Sequence, residues 1–239
     1  MNILCTICAR SNSQGVKNKN FKKLNGKPLI YYSIKQAQKS KIFSNIVIST
    51  DSNKIAKYSN KMGVKCFFKR PKKLSTNKSP KVPAIQHALL ESENYHKKKY
   101  DIILDLDVSS PLRRVSDIRN SLNLFNKKKA SILLTGCKSR KSPYYNIVEI
   151  KNKKVKRVKL SRKKIFRRQD TPKTYDLNAS IYIWSRNSLI NFKSFYDKKT
   201  IVYEMPQERS FDIDSITDFK IAEVLMKNIW KINILKNFL

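Results

Sequence analysis

Two stretches of this chain hold residues whose type and spacing could do chemistry. Asp212 and Asp214, in D-I-D-S, stand two apart, so on an extended segment both carboxylates project to one side. Two hard oxygen donors on one face suit a divalent cation such as Mg²⁺ (or Mn²⁺) beside phosphates. The plainer reading is an acidic pair that complements the N-terminus of a following helix. The second stretch is I-C-A-R-S-N-S-Q-G-V-K-N-K-N, Ile7 to Asn20, where an apolar run gives way to a polar loop with Arg10, Lys17 and Lys19. Gly15 in that loop is one of only four glycines in the chain. Backbone N–H groups and cations in such a turn could hold phosphates, although neither G-x-G-x-x-G nor a P-loop is present. An ordinary solvated loop is the alternative.

Other candidates carry less. Cys5 and Cys8 form C-x-x-C, but in a strand residues three apart face opposite ways. With no second such pair to complete a zinc site, the four cysteines read as structural thiols. His87 and His96 lie on or beside one helical segment, and no Ser-His-Asp arrangement suggests itself. The formal charge is +35, from 52 Lys and Arg against 17 Asp and Glu. Nucleic-acid binding would need clustered cations interleaved with stacking aromatics. The lysines are scattered instead, which reads as a solvated basic surface that draws anions toward any cleft. No apolar run approaches the ~20 residues of a membrane span. Met1 to Ala9 lacks the basic start of a signal peptide, so a cytoplasmic location is expected.

Strand-like and helix-like segments alternate. Strands are predicted over Ile3–Ala9, Asn45–Thr50, Val64–Phe68, Tyr100–Leu106 and Ala130–Gly136, and helices over Pro28–Ser40, a segment with Ile55, Ala56 and Met62 ending at Gly63, Val82–Glu93 and Ser116–Lys127. Asp51-Ser52 can cap the second helix. This order predicts an α/β fold with a doubly wound, mostly parallel sheet, whose ligands bind at the carboxyl ends of strands. After Gly136 a basic hairpin is expected over Tyr144–Leu160 with Asn152-Lys153 near its turn, then strands at Ala179–Trp184 and Thr200–Tyr203 and a helix from Ser215 to Asn237. The division is thus a core of 1–137, an inserted region of 138–174, and a return to the core over 175–239.

Seven short motifs occur in one order: Arg10 with Lys19-Asn20, L-N-G-K-P-L-I from Leu24, S-T-D-S from Ser49, Arg70-Pro71, S-S-P-L-R from Ser109, N-A-S-I-Y from Asn178, and D-I-D-S from Asp212. Together they resemble the nonulosonate cytidylyltransferases, Rossmann-like enzymes that make CMP-sialic, CMP-legionaminic and CMP-pseudaminic acids. C-T-I-C-A-R, D-L-D-V-S-S-P-L-R, R-R-Q-x-x-P-K-x-Y-D and N-A-S-I-Y-I-W look most like the CMP-legionaminic branch.

The resemblance implies that CTP lies over the first loop and that the sugar acid's anomeric hydroxyl attacks the α-phosphorus, releasing pyrophosphate. Ala9, Arg10, Asn12, Ser13, Gln14, Gly15, Lys19, Asn20 and Arg70 would then surround the nucleotide, with Arg10, Lys19, Asp212 and Asp214 carrying the catalysis. Arg70 has a plainer reading as one more surface cation. Asp212 and Asp214 would hold the metal. Asp107 would be either a third ligand or part of a sugar site with Lys81, Arg168, Gln169 and Asn178. The inserted region implies a homodimer, with Arg168 reaching the partner's site. Sialic, pseudaminic or octulosonic acid are alternative substrates. One departure concerns the loop: where the family usually carries lysine before the glycine, this chain has Gln14, and Lys17 is expected to swing toward the phosphates in compensation.

Overall fold

In the first strand, β1 (Ile3–Cys8), side chains alternate between two apolar layers. Ile3, Cys5 and Ile7 enter one core cluster, while Leu4 enters the other and Cys8 packs against it. Burial on both faces is the signature of a central strand in a helix-covered sheet. It also separates the two C-x-x-C thiols, and all four cysteines are free. The computed structural model describes residues 1–13, 15–161 and 164–236, from 228 onward by backbone alone. Gln14, on which the expectation of compensation rests, therefore lies outside the described residues.

A two-residue ladder of β2 (Lys23–Leu24) and β3 (Lys27–Pro28) turns through Asn25 and Gly26. Pro28 then leads into α1 (Leu29–Ser40), which buries Leu29, Ile30, Ile34 and Ala37. Strand β4 (Asn45–Ser49) pairs parallel with β1. Ser52 caps α2 (Asn53–Lys61) by accepting from the Ile55 N–H at 3.4 Å. Helix α3 (Lys81–His96), strand β5 (Ile102–Leu106), helix α4 (Val115–Lys127) and strand β6 (Ile132–Lys138) follow. The chain then forms a separate hairpin of β7 (Val148–Lys151) and β8 (Lys154–Arg157), turning at Asn152 and Lys153, both left-handed. It returns through β9 (Tyr175–Ser185), α5 (Arg186–Ile190), β10 (Thr200–Glu204) and α6 (Ile216–Lys236).

The main sheet runs β10-β6-β9-β5-β1-β4. All its neighbours are parallel except β9, which is antiparallel to both β5 and β6. Helices α1, α2, α4 and α6 cover one face, and α3 with α5 the other. Because β9 runs backwards, its first residues arrive at the sheet end where the parallel strands finish. Among the described residues no helix is long and apolar enough to cross a membrane.

One predicted strand is absent. Val64–Phe68 has the apolar, strand-like composition but joins no ladder. Its Cys66 N–H is donated to the Asn60 side chain at 2.8 Å, and the Cys66 thiol to the Ile48 carbonyl. Its residues pack against the core (Val64 is buried), so burial rather than pairing explains their apolarity.

Candidate active site

Every parallel strand of the centre hands the chain to the cleft at its carboxyl end. After β1, Ala9 is buried and its N–H is donated to the Ser49 carbonyl at 2.9 Å, which anchors the loop's root. Ser11 is gripped by Asp51 from the end of β4: its backbone N–H at 2.7 Å and hydroxyl at 2.6 Å. Asp51 had been expected to cap α2; Ser52 does that alone, and Asp51 holds the loop. Asn20, buried, donates to the Arg10 carbonyl at 2.9 Å and closes the turn from the far side. Gly15 has a steric reason to be glycine: a Cβ there would lie 1.8 Å from the Asp214 carbonyl oxygen. The loop and the D-I-D segment are therefore in backbone contact.

The result is a cleft of about 550 Å³, within the usual range of ligand sites. Arg10, Ser13, Gly15, Lys19, Asn20 and Arg70 line it, together with Lys81, Asp107, Asp212 and Asp214. Arg70 is no surface cation: it is buried, donating from Nε to the Ser49 hydroxyl at 2.9 Å and from Nη2 to the Ser49 carbonyl. Arg10 Nη1 donates to the Thr76 carbonyl at 2.6 Å, and Asn12 is exposed outside the cleft lining.

The D-I-D pair alternates as its spacing requires, with Ile213 in the core between two carboxylates that both line the cleft. Lys19 Nζ reaches the Ile213 carbonyl at 2.5 Å and Asp214 Oδ1 at 3.1 Å. Ser110 donates to Asp212 Oδ1. Burial pushes the Asp212 carboxyl up to about 7; the Ser110 hydrogen bond works against the shift, and the charges of Asp107 and Asp214 add to it. Each carboxylate keeps one oxygen without a hydrogen bond among the described residues. A partly buried carboxyl under negative field, paired with an exposed one across a single residue, fits a divalent cation, which would restore the charge that burial suppresses.

Asp107 stands apart from that pair. Its Oδ2 takes Lys81 Nζ at 2.6 Å, and its Oδ1 takes both the N–H and the hydroxyl of Ser109 at 2.8 and 2.6 Å. Both oxygens are engaged, so the expectation of Asp107 as a third metal ligand is corrected. Among the described residues no group of three or more His, Cys, Asp or Glu gathers as a metal site. Lys81 also lies 2.6 Å from Asp105 Oδ2. Burial opposes its charge, but Asp105 and Asp107 outweigh that and hold its pKa above the ordinary lysine value. Burial likewise opposes the Asp107 carboxylate, and Lys81 and Ser109 hold it well below the usual range.

Two further expectations need correction. Asn178 does not face the cleft: it is buried, its Oδ1 accepting from Thr135 at 2.7 Å and from the Ser180 N–H at 3.1 Å. Its work is to fix the bend in β9 where Ala179, with φ of 48°, enters the cleft lining. Lys17 lines a separate shallow groove with Lys22, Ser52 and Lys54. Val16, between it and Gly15, is buried, and Lys17 is not among the residues that line the cleft. Arg168 and Gln169 are exposed on a short 3₁₀ turn, outside this chain's own cleft lining, with Arg168 donating to the Arg140 carbonyl.

Sequence reasoning missed Arg113 as a structural centre of the site. It is buried and donates to Gln36 at 3.0 Å, Ser33 at 2.8 Å, the Asp107 carbonyl at 3.0 Å and the Ser180 carbonyl. Its position at the end of S-S-P-L-R was the available signal. A second, apolar bay of about 470 Å³ shares Pro80 and Lys81 with the cleft and is walled by Tyr182, Trp184, Phe192 and Phe195. The Trp184 indole N–H in that wall has no acceptor among the described residues.

Comparison with known proteins gives a consistent picture. The family model described as "Cytidylyltransferase" matches residues 4–237. The "CMP-N,N'-diacetyllegionaminic acid synthase" of Campylobacter jejuni is 47% identical over 224 residues, covering 94% of each chain. The "Post-translational flagellin modification protein B" of Campylobacter coli is 46% identical over 225 residues, covering 94% of this chain and 95% of that one. Among solved structures, CMP:2-keto-3-deoxy-manno-octonic acid synthetase complexed with CTP superposes with a TM-score of 0.66 at 16% identity, over 95% of this chain and 99% of that one.

Proposed function

The chain belongs to the cytidylyltransferase family, and on that premise we propose that it joins CMP from CTP to a nonulosonic acid, legionaminic acid or a derivative, releasing pyrophosphate. The observation that carries this is the cleft in which the cationic loop and the D-I-D carboxylates meet, with Gly15 against the Asp214 carbonyl. Phosphoryl transfer calls for positioning and charge neutralisation more than for covalent help. Arg10 and Lys19, with the amides around Ser13 and Gly15, hold the triphosphate, and Arg70 stands beside the nucleotide. Asp212 and Asp214 hold Mg²⁺, which when bound neutralises phosphate charge. Asp51 and Asn20 keep the loop in its working shape.

The choice of an acylated sugar acid draws support from the aromatic bay next to the cleft. An acyl methyl group suits its apolar wall of Tyr182, Phe192 and Phe195. The relatives named for diacetyllegionaminic acid and flagellin modification support the same choice, and with it a cytoplasmic role in cell-surface glycan synthesis. A homodimer draws support from the β7–β8 hairpin, whose Val148, Ile150 and Val155 share one exposed apolar face, Ile150 being 77% exposed. Arg168, outside its own chain's cleft, would serve the partner's sugar carboxylate.

The test is pyrophosphate release from CTP across a panel of legionaminic, sialic, pseudaminic and octulosonic acids. Legionaminic acid or its derivative gives the highest kcat/KM. Faster turnover with another member reassigns the sugar, and no CTP-dependent release with any of them sinks the reading. Asp214→Asn lowers kcat by a hundredfold or more, on the scale of losing a preorganised electrostatic contact; parent activity at every Mg²⁺ concentration would remove the metal from this pair.

A further inference from the structure

The chain contains two D-x-D segments beside one cleft, Asp105-Leu106-Asp107 and Asp212-Ile213-Asp214. Both put two carboxylates on one side of an extended backbone, yet their surroundings differ. At the second pair the neighbouring ammonium, Lys19, touches one of the two carboxylates, Asp214, whose side chain is 83% exposed. At the first pair Lys81 Nζ sits 2.6 Å from Asp105 and 2.6 Å from Asp107, and the Asp105 side chain is 0% exposed. The other oxygens there are used as well: Asp105 Oδ1 accepts from Thr6 at 2.8 Å, and Asp107 Oδ1 accepts twice from Ser109. The same ammonium lies 5.1 Å from the centre of the Tyr182 ring, which adds a π face to its anionic cage.

A pair of close carboxylates with this spacing would hold a divalent cation if left open. Here a lysine from the first turn of α3 already fills the position. Resting on the reading of the site as metal-assisted phosphoryl transfer, we propose that Lys81 is a built-in cation that takes the place of a second divalent ion at Asp105 and Asp107, so that the only exchangeable metal is the one at Asp212 and Asp214. Lys81 then acts on the sugar indirectly, by fixing Asp107 and the Ser109 turn.

Counting protein-bound Mn²⁺ by electron paramagnetic resonance on the full chain tests this without reference to turnover. The parent and Lys81→Arg bind the same number of ions per chain, and Lys81→Met binds one more. Adding Asp107→Asn to Lys81→Met takes the extra ion away. A folded Lys81→Met with the parent's count overturns the proposal. The absolute count is a separate matter: a parent that binds no Mn²⁺ refutes the metal role of Asp212 and Asp214, while the increment between the two proteins still decides the role of Lys81. Should Lys81→Met fail to fold, the ¹⁵Nζ resonance of Lys81 in the parent, assigned by its loss in Lys81→Arg, decides instead. It persists unshifted at saturating Mg²⁺ if the lysine holds the position, and its displacement by the metal overturns the proposal.

Discussion

Replacing Gly15 with alanine adds one methyl group, and the structure says where it goes. The new Cβ would lie 1.8 Å from the Asp214 carbonyl oxygen and 3.0 Å from its carbon. Contacts of this kind are essentially never closer than 3.0 Å, so the two backbones must part by roughly 1.2 Å. The loop bears the amides around Ser13 and Gly15, and the other segment bears Asp214, so whichever moves, phosphate groups and metal carboxylate lose their mutual placement. A displacement of about 1 Å in a positioned site costs on the order of a hundredfold in rate. Stability should fall as well, because the atom the methyl meets is backbone and both segments are flanked by buried residues, Val16 and Ile213. The assay pairs pyrophosphate-release kinetics with urea unfolding of the same preparations. Gly26→Ala is the control for activity: nothing lies within 4 Å of its Cβ, but φ is +79°, so it should lose about 1 kcal/mol of stability and keep its activity. Parent-like kcat/KM in Gly15→Ala would show that the contact between loop and carboxylate segment does not govern the chemistry.

Glu93 accepts both Nε and Nη2 of Arg186 at 2.7 and 2.9 Å, and Lys99 at 2.9 Å. Burial alone would raise its pKa, but these partners bring it down to about 2 from the ordinary 4.5. A depressed carboxyl stabilises the fold above pH 4.5 and loses that contribution as pH falls toward 2. At 1.36 kcal/mol per unit this is about 3 kcal/mol. The urea midpoints of parent and Glu93→Gln should therefore converge across that window; a constant gap from pH 6 to pH 2 would contradict it. Arg168→Ala should raise KM for the sugar acid by about thirtyfold, the scale of a charged hydrogen bond, with KM for CTP nearly unchanged; a rise confined to CTP would put Arg168 elsewhere. Lys41→Gly, at a left-handed helix end with φ of 54°, should gain about 1 kcal/mol, and a loss in thermal melts would contradict that.

Much of the core was legible because alternation of strand and helix is a local pattern. Ile3–Cys8, Asn45–Ser49 and Ile102–Leu106 needed only their own residues to be recognised as strands. Direction was not legible: nothing inside Y-D-L-N-A-S-I-Y-I-W-S says that β9 runs against its neighbours. Val64–Phe68 misled because apolarity reports burial: the segment lies beside the edge strand β4, its Cys66 thiol on the Ile48 carbonyl, without pairing to it. In the site, the loop and the D-I-D pair were legible because their residues are close in sequence. The ion pairs of Lys81 with Asp105 and Asp107, 24 and 26 residues away, and the grip of Asp51 on Ser11 across 40 residues were not. Asn178 illustrates the same limit. A polar residue in a recurring motif reads as a ligand contact until its amide is found bonded to Thr135 in the core.

The backward strand β9 is also a mechanical element. Its first residues pair with Gly136, Cys137 and Lys138 at the root of the projecting region, its bend at Ala179 lines the cleft, and the Ser180 carbonyl takes the Asp107 N–H at 3.1 Å and the Arg113 guanidinium. One run of hydrogen-bonded backbone thus joins the base of the hairpin to the carboxylate that Lys81 holds. Free energies linked through one such element are reciprocal. To whatever extent a surface seated on the hairpin steadies this strand and tightens the cleft, a molecule filling the cleft tightens the hairpin's hold on that surface by the same factor. Occupancy and assembly are then two readings of one equilibrium.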